Sequence, residues 1–123
     1  MRLFVSFILV FIVSCSGNDS EINNADKIEI FIPYKGRVLH YIDTSERAIS
    51  FFKKVLDGKS EKRKCAASGE IRFLSKGSIV LEAGFSISEA NCQYLMKGEK
   101  AWKLTYHAGM YLSETFSELT KDK

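Results

Sequence analysis

The sequence has few of the residues, and none of the short motifs, that usually indicate catalysis. Only two histidines occur among 123 residues, His40 and His107, and neither stands beside a nucleophile in a known arrangement. No G-x-S-x-G, no G-x-x-x-x-G-K-[ST] and no G-x-G-x-x-G is present. The spacing of the cysteines and histidines matches no zinc signature, and the acidic residues follow no EF-hand order. We therefore predict no catalytic residue, no metal site and no cofactor.

The chain also lacks a strong charge imbalance. Its formal net charge of +3 is too small to indicate a nucleic-acid partner. The composition is 46% hydrophobic and 12% aromatic with a single proline, which is typical of a globular protein. A chain of this length predicts a single folded domain.

No apolar run is long enough for a comfortable membrane span. The longest, residues 3–13, is interrupted only by Ser6 and falls well short of the roughly 20 residues that a helix needs to cross a bilayer. The charged Arg2, a short apolar core and the small Ser14 before a polar turn are typical of a secretory signal peptide. An uncleaved N-terminal anchor is one alternative.

The apolar run ends in the tetrapeptide Ile12-Val13-Ser14-Cys15. This tetrapeptide resembles the lipobox of bacterial lipoproteins. The resemblance implies that residues 1–14 are removed as a signal peptide and that the Cys15 thiol receives a lipid, so that acyl chains such as palmitate anchor the chain to a membrane. Serine rather than aspartate follows the cysteine, which favours the outer membrane of the cell envelope. An ordinary signal peptide with a stray cysteine is a second alternative.

The cysteine count fits this interpretation. There are three cysteines, and lipidation of Cys15 leaves Cys65 and Cys92 as a pair in an oxidising compartment. We predict a disulfide between them, which would stabilise the fold by about 3–4 kcal/mol through loop closure. Two buried free thiols, or one reactive thiol, are the alternatives.

The segment after the lipidated cysteine is polar. Residues 15–26 contain Ile22 as their only large apolar residue and predict a flexible tether. The folded domain is expected to span residues 27–121.

Short stretches in which apolar and polar residues alternate predict β-strands. They are KIEIFIP, RVLHYI, GEIRFLSK, SIVLEAGFSI and the two halves of CQYLMKGEKAWKL. Turn residues at 33–36, at Lys76-Gly77 and at Lys97-Gly98 predict hairpins between them. The segment 59–64, KSEKRK, is expected to be a charged connection.

Two stretches have the apolar spacing of amphipathic helices. The first covers residues 43–57, with Asp43 and Glu46 in capping-box spacing, and the second covers about 106–120, with Thr105 as its cap. The predicted fold class is α+β. Both helices would cover one face of an antiparallel sheet of about four to six strands in a two-layer sandwich.

Three further stretches together cover about half of the chain: KCAASGEIRFLSKGSIVLEAGFS, CQYL and AWKLTYHAGMYL. They are similar to a pattern found in small lipoproteins of Gram-negative bacteria. In that pattern a cysteine precedes a G-x-I-x-F strand, a second cysteine precedes an aromatic strand, and a helix closes the chain. The group has no assigned activity, so the resemblance implies a fold and not a function.

The sheet face away from the helices is the candidate binding surface, because exposed apolar groups there can mark an interaction site. By alternation we expect five apolar side chains on it: Leu39, Tyr41, Leu74, Val80 and Leu95. The predicted function is a non-enzymatic, membrane-anchored envelope lipoprotein that binds or scaffolds a protein or another envelope component. The alternatives are a small hydrolase acting on envelope material, with His107 or a carboxylate pair as acid–base group, and an inhibitor of a secreted enzyme.

Overall fold

The structure is a computed structural model that describes residues 21–121. The predicted signal peptide and the lipobox cysteine, Cys15, lie outside the described residues. The chain begins with a short 3-10 helix at Glu21–Asn24. The strands and helices that follow are β1 (Lys27–Tyr34), β2 (Arg37–Asp43), α1 (Glu46–Asp57), β3 (Ser60–Lys62), β4 (Gly69–Ser75), β5 (Ser78–Ser86), β6 (Tyr94–Lys97), β7 (Lys100–Lys103) and α2 (Tyr106–Thr120).

The strands form one antiparallel sheet of seven strands in the order β2-β1-β4-β5-β6-β7-β3. Residues of both helices share one core cluster with the sheet, which confirms the α+β sandwich. The strand count exceeds the prediction because residues 60–62, expected to be a charged connection, pair with β7. All residues of β3 are exposed, so no apolar alternation marked it as a strand.

The core lies between the helices and one face of the sheet. In β1 the alternating residues Ile28, Ile30 and Ile32 are fully buried, as predicted. The α1 residue Phe52 is buried opposite them, and its ring meets that of Phe73 edge-on with centroids 5.5 Å apart. Each such side chain contributes about 1.5–3 kcal/mol by leaving water.

The first helix begins later than predicted. Asp43 ends β2, and Ser45 is the helix N-cap, whose Oγ accepts a hydrogen bond from the backbone N–H of Ala48 at 3.2 Å. The Asp43 carboxylate instead accepts from the backbone N–H of Ser45 at 2.8 Å and so braces the connection. Thr105 caps α2 as predicted, with its hydroxyl accepting from the N–H of Ala108.

Two hairpins turn on the dipeptide Lys-Gly. The turn at Lys76-Gly77 is as predicted, and the turn at Lys35-Gly36 is the second half of the predicted stretch 33–36, whose first half extends β1. The φ angles are 50° and 80° at Lys35-Gly36, and 51° and 86° at Lys76-Gly77. Positive φ at both central residues is typical of type I′ turns, whose twist matches that of the flanking strands. The third hairpin turns at Gly98-Glu99, one residue later than predicted.

The folded part begins before the predicted boundary at residue 27. Ile22 is only 1% exposed and belongs to the core cluster. The backbone N–H of Asp26 donates to the carbonyl of Leu74 at 2.8 Å, and its Oδ2 accepts from the N–H of Lys76 at 3.1 Å. The prediction of a flexible tether is therefore wrong for residues 22–26, because the one large apolar residue of the segment packs into the core.

Candidate binding surfaces

Two of the five residues predicted for the open sheet face lie on the helix side of the sheet. Leu39 and Tyr41 of β2 stand opposite Ile32 and Ile30 of β1. Directly opposed residues share one face of a sheet, and both isoleucines face the core. The prediction chose the wrong face because RVLHYI places apolar residues on both sides of the strand.

Leu95 is a core residue, not a surface residue. It is 0% exposed and stands between Phe85 and Trp102, which are also buried. Tyr94 and Met96 therefore point to the open face, the reverse of the prediction. The run Tyr-Leu-Met is apolar at every position, so alternation could not determine which residues face inward.

Leu74 and Val80 lie beside a β-bulge. Phe73 opposes Leu81, but the next residue of β4, Leu74, opposes Ile79. This leaves Val80 as the extra residue of the bulge. Leu74 is buried, and Val80 is half-buried against the core cluster. The five predicted residues therefore do not form one exposed apolar patch.

The open face instead holds a stack of Arg72, Phe31 and His40, here called the sheet-face stack. The Arg72 Cζ atom lies 4.7 Å from the Phe31 ring centre, and the Phe31 and His40 rings stack with centroids 4.5 Å apart. Glu82 Oε2 lies 2.7 Å from Arg72 Nε, and Glu29 Oε2 lies 3.8 Å from His40 Nε2. Both polar ends of the stack thus have an acidic neighbour in the same chain.

A second stack of the same composition lies in the helix layer. The Arg47 Cζ atom is 5.7 Å from the Phe51 ring centre, and Phe51 stacks on His107 with centroids 5.5 Å apart. Within residues 21–121, neither Arg47 nor His107 has a carboxylate at salt-bridge distance. This helix-layer stack therefore differs from the sheet-face stack in having no acidic partner.

The helix-layer stack forms part of an open groove of about 380 Å³ between α1 and α2, here called the helix groove. Its lining residues are Ser45, Arg47, Ala48, Phe51, His107, Met110, Tyr111 and Glu114. A second hollow of about 280 Å³ shares Tyr111 and Glu114 with it and reaches Tyr41 of β2. The groove thus continues along α2 towards the end of the sheet.

Tyr111 links the groove to β2. Its hydroxyl donates a hydrogen bond of 2.7 Å to Asp43 Oδ2, and its ring meets those of Phe51 and Phe52 edge-on. Burial alone would raise the pKa of Asp43, but the bonds from the Ser45 N–H and the Tyr111 hydroxyl lower it below its ordinary value. Burial and the bond to Asp43 raise the pKa of Tyr111 well above its ordinary value. At neutral pH a phenol therefore donates to an ionised carboxylate.

Most of the exposed large apolar side chains belong to β2 and α2, with Val38 and Ile42 on the open sheet face and Tyr41 on the helix side. Of the six within the described residues, those on β2 or in the first turns of α2 are Val38, Tyr41, Ile42, Tyr106 and Met110. Tyr106 is 73% exposed and its ring meets His107 edge-on at 5.5 Å. The exposed pair Tyr106 and Met110 was not predicted from the sequence, although its i, i+4 spacing off the apolar stripe was a signal for it.

The structure confirms the predicted disulfide between Cys65 and Cys92, whose Cα atoms lie 5.9 Å apart. It does not bring His40 and His107 together, because one stands on the open sheet face and the other in the helix layer. Among the residues described, no group of three or more His, Cys, Asp or Glu side chains could hold a metal ion. Within residues 21–121, neither helix has both the length and the apolar character that a membrane crossing requires.

No protein family, no curated protein and no solved structure matches this chain. Its function is therefore inferred from the N-terminal sequence pattern and from the geometry of the two stacks.

Proposed function

We propose that this chain is a lipid-anchored, non-enzymatic protein of the cell envelope that binds a partner protein through its helix groove. The lipobox-like tetrapeptide that ends at Cys15 supports the anchor. The observation that carries the binding proposal is the helix-layer stack. It places Arg47 and His107 on an open groove without an acidic partner from the described chain.

The chemistry of the groove favours a protein partner. Arginine, tyrosine and methionine are enriched in the buried centres of protein interfaces. Met110 offers exposed apolar area in the same groove as the cationic Arg47, and the exposed Tyr106 meets the ring of His107. We therefore expect the partner to present an acidic side chain flanked by apolar residues, so that the arginine gains a partner as the apolar surfaces leave water.

The open sheet face supports this role less well. A partner there would have to compete with the contact between Arg72 and Glu82, which are only 2.7 Å apart. Truncating or displacing one member of a close charge pair leaves the other without its partner, which opposes binding. No specific observation favours a hydrolase, since His40 and His107 lie in different layers.

The anchor can be tested by mass spectrometry of the mature chain. We expect an acylated N-terminal Cys15, and we expect Cys15→Ala to move the protein out of the membrane fraction. Mature protein that retains an unmodified Cys15 would contradict the anchor.

The groove can be tested with a photo-cross-linking amino acid in cells that produce the full chain. Placed at Met110, it should yield discrete protein adducts, and Arg47→Glu should remove them because it reverses the charge offered to the partner. The same probe at Glu70, on the open sheet face, is the matched control and should yield none. Equal adducts at both positions, or adducts insensitive to Arg47→Glu, would count against the helix groove.

A further inference from the structure

Within residues 21–121 the strand β2 is an edge of the sheet, because β1 alone of the described strands pairs with it. The closing pair of a two-residue hairpin is hydrogen-bonded, and bonded pairs then alternate with non-bonded ones. Here the closing pair is Tyr34 and Arg37, so the next pair, Pro33 and Val38, is non-bonded, which suits a proline without an N–H. The residues whose backbone groups point to the free side are therefore Val38, His40 and Ile42.

Those outward backbone groups have no partner among the described residues. No backbone or side-chain hydrogen bond from another element reaches them within residues 21–121. Of the three outward-pointing residues, the first and the last have apolar side chains, Val38 being 63% and Ile42 49% exposed. A long free edge with exposed apolar residues is a template for another strand.

The opposite edge of the sheet has none of these features. The strand β3 has three residues, all exposed, with the sequence Ser-Glu-Lys. Short and charged edges resist pairing with other chains, and β2 has seven residues with neither lysine nor proline. The free edge available for pairing is therefore β2.

We propose that two copies of this chain pair antiparallel along β2, about a two-fold axis at His40. The strand sequence RVLHYID is complementary to itself when reversed. In this register Arg37 at one end faces Asp43 of the second copy, and the opposite charges meet again at the other end. This charge complementarity selects a second copy as the occupant of the edge.

The pairs between the axis and the charged ends are apolar in this register. Val38 stands opposite Ile42 of the second copy on the open face, and Leu39 stands opposite Tyr41 on the helix side. Val38, His40 and Ile42 then exchange hydrogen bonds with outward-pointing groups of the second copy. A shift of the register by one residue would place outward-pointing backbone groups of one copy opposite inward-pointing groups of the other. A shift by two residues would separate Arg37 from Asp43 of the second copy.

A proline at the axis tests the pairing. His40→Pro removes the central outward N–H but none that β1 needs, since edge strands tolerate proline on the solvent side. The full chain in non-ionic detergent should sediment with the mass of two copies, and His40→Pro should sediment as one. His40→Ala is the matched control that keeps the N–H, and it should remain dimeric. A monomeric parent chain or a dimeric His40→Pro variant would overturn the proposal.

A charge substitution decides the question if the proline variant does not fold. Arg37→Asp places like charges opposite each other at both ends of the pairing and should weaken dimerisation at least tenfold. Lys54→Asp makes the same charge change on the exposed side of α1 and should leave the dimer unchanged. Equal behaviour of the two variants would overturn the proposal.

Cysteine cross-linking tests the register. Only a residue on the two-fold axis stands opposite the same residue of the second copy. Mild oxidation should therefore link His40→Cys into disulfide-bonded dimers and leave Val38→Cys unlinked. The parent chain is the control for linking through Cys15. Linking through Val38→Cys alone would overturn the register. The dimer proposal is independent of the partner proposal. Arg47→Glu should abolish the adducts in the helix groove and leave the dimer intact.

Discussion

The two ends of the sheet differ in how they are closed. At the β3 end, the disulfide Cys65–Cys92 joins the loops before β4 and β6. The Tyr94 hydroxyl donates to Glu61 Oε2 at 2.8 Å, and the guanidinium of Arg63 stacks over the Tyr94 ring at 4.9 Å. Covalent, polar and aromatic contacts thus hold a short, charged edge in place.

At the β2 end, one polar contact between side chains, Tyr111 to Asp43, connects the edge to the helix layer. The same strand exposes Val38 and Ile42 and leaves its outward backbone groups without partners in the described chain. The comparison indicates that the β3 end serves stability and the β2 end serves association. Changes at the β3 end should therefore alter unfolding, whereas changes on the outer side of β2 should alter the oligomeric state.

Removing the disulfide should produce the largest effect. The double variant Cys65→Ser with Cys92→Ser opens a bridge between residues 27 positions apart. The free energy of unfolding should fall by about 3–4 kcal/mol, because the unfolded chain regains the entropy of that loop. Denaturant titration of the full chain measures this loss. Sedimentation with the mass of two copies, at denaturant concentrations below the unfolding transition, shows that the β2 end is unaffected. A loss below about 1 kcal/mol would contradict the role assigned to the β3 end.

The variant Tyr111→Phe should produce an intermediate effect at the β2 end. Loss of a hydrogen bond to a charged group should lower the free energy of unfolding by about 1.5–3 kcal/mol at pH 7. The pKa of Asp43 is lowered in the folded state, so this stabilisation is present above its ordinary value of about 3.9 and is lost as the pH falls through the lower folded pKa. The difference between parent and variant, followed by thermal unfolding, should therefore shrink below about pH 4. Tyr106→Phe, on the same helix but exposed, should have no effect at any pH.

The corresponding variant at the β3 end, Tyr94→Phe, should have a smaller effect than Tyr111→Phe. The hydrogen bond that the Tyr94 hydroxyl donates to the Glu61 carboxylate raises the pKa of Tyr94, as does burial. Glu61 lies on an exposed edge strand, however, where water can replace the bond. A thermal shift as large as that of Tyr111→Phe would show that this edge depends on the bond more than the comparison implies.

The smallest effect should come from the exposed ion pair on β3. Lys62 Nζ lies 3.7 Å from Glu99 Oε1, with the side chains 87% and 81% exposed. Lys62→Ala should change the free energy of unfolding by less than about 0.5 kcal/mol, because such pairs gain little in water. An increase in sedimenting mass in this variant would show that the charge on β3 protects that edge from pairing.

Several elements could be predicted because their signals are local. The three isoleucines of β1 alternate with polar residues, and both Lys-Gly turns lie between strands of matching pattern. The second helix, capped by Thr105, was placed at its observed bounds because its cap and its apolar spacing agree. The fold class followed from these elements.

Other features could not be predicted because their signals were absent or ambiguous. In β6 the residues 94–96 are all apolar, so the burial of Leu95 depended on Phe85 and Trp102 from other strands. The strand β3 is polar throughout, and its pairing with β7 left no trace in its own sequence. Ile22 lay in a segment that composition indicated to be a tether, yet it packs into the core.

By itself, the sequence determined the order of the two helices and of six of the seven strands, most of the turns, and the pairing of Cys65 with Cys92 as the expected bridge. Each of these depends on residues that are neighbours in the chain or on a count of one residue type. Only the tertiary structure decided that Phe51 of one helix stacks on His107 of the other, and that β2 lies at an edge of the sheet that the described residues form. Such contacts join residues that are distant in sequence, so they exist only once the helices have packed and the sheet order is established.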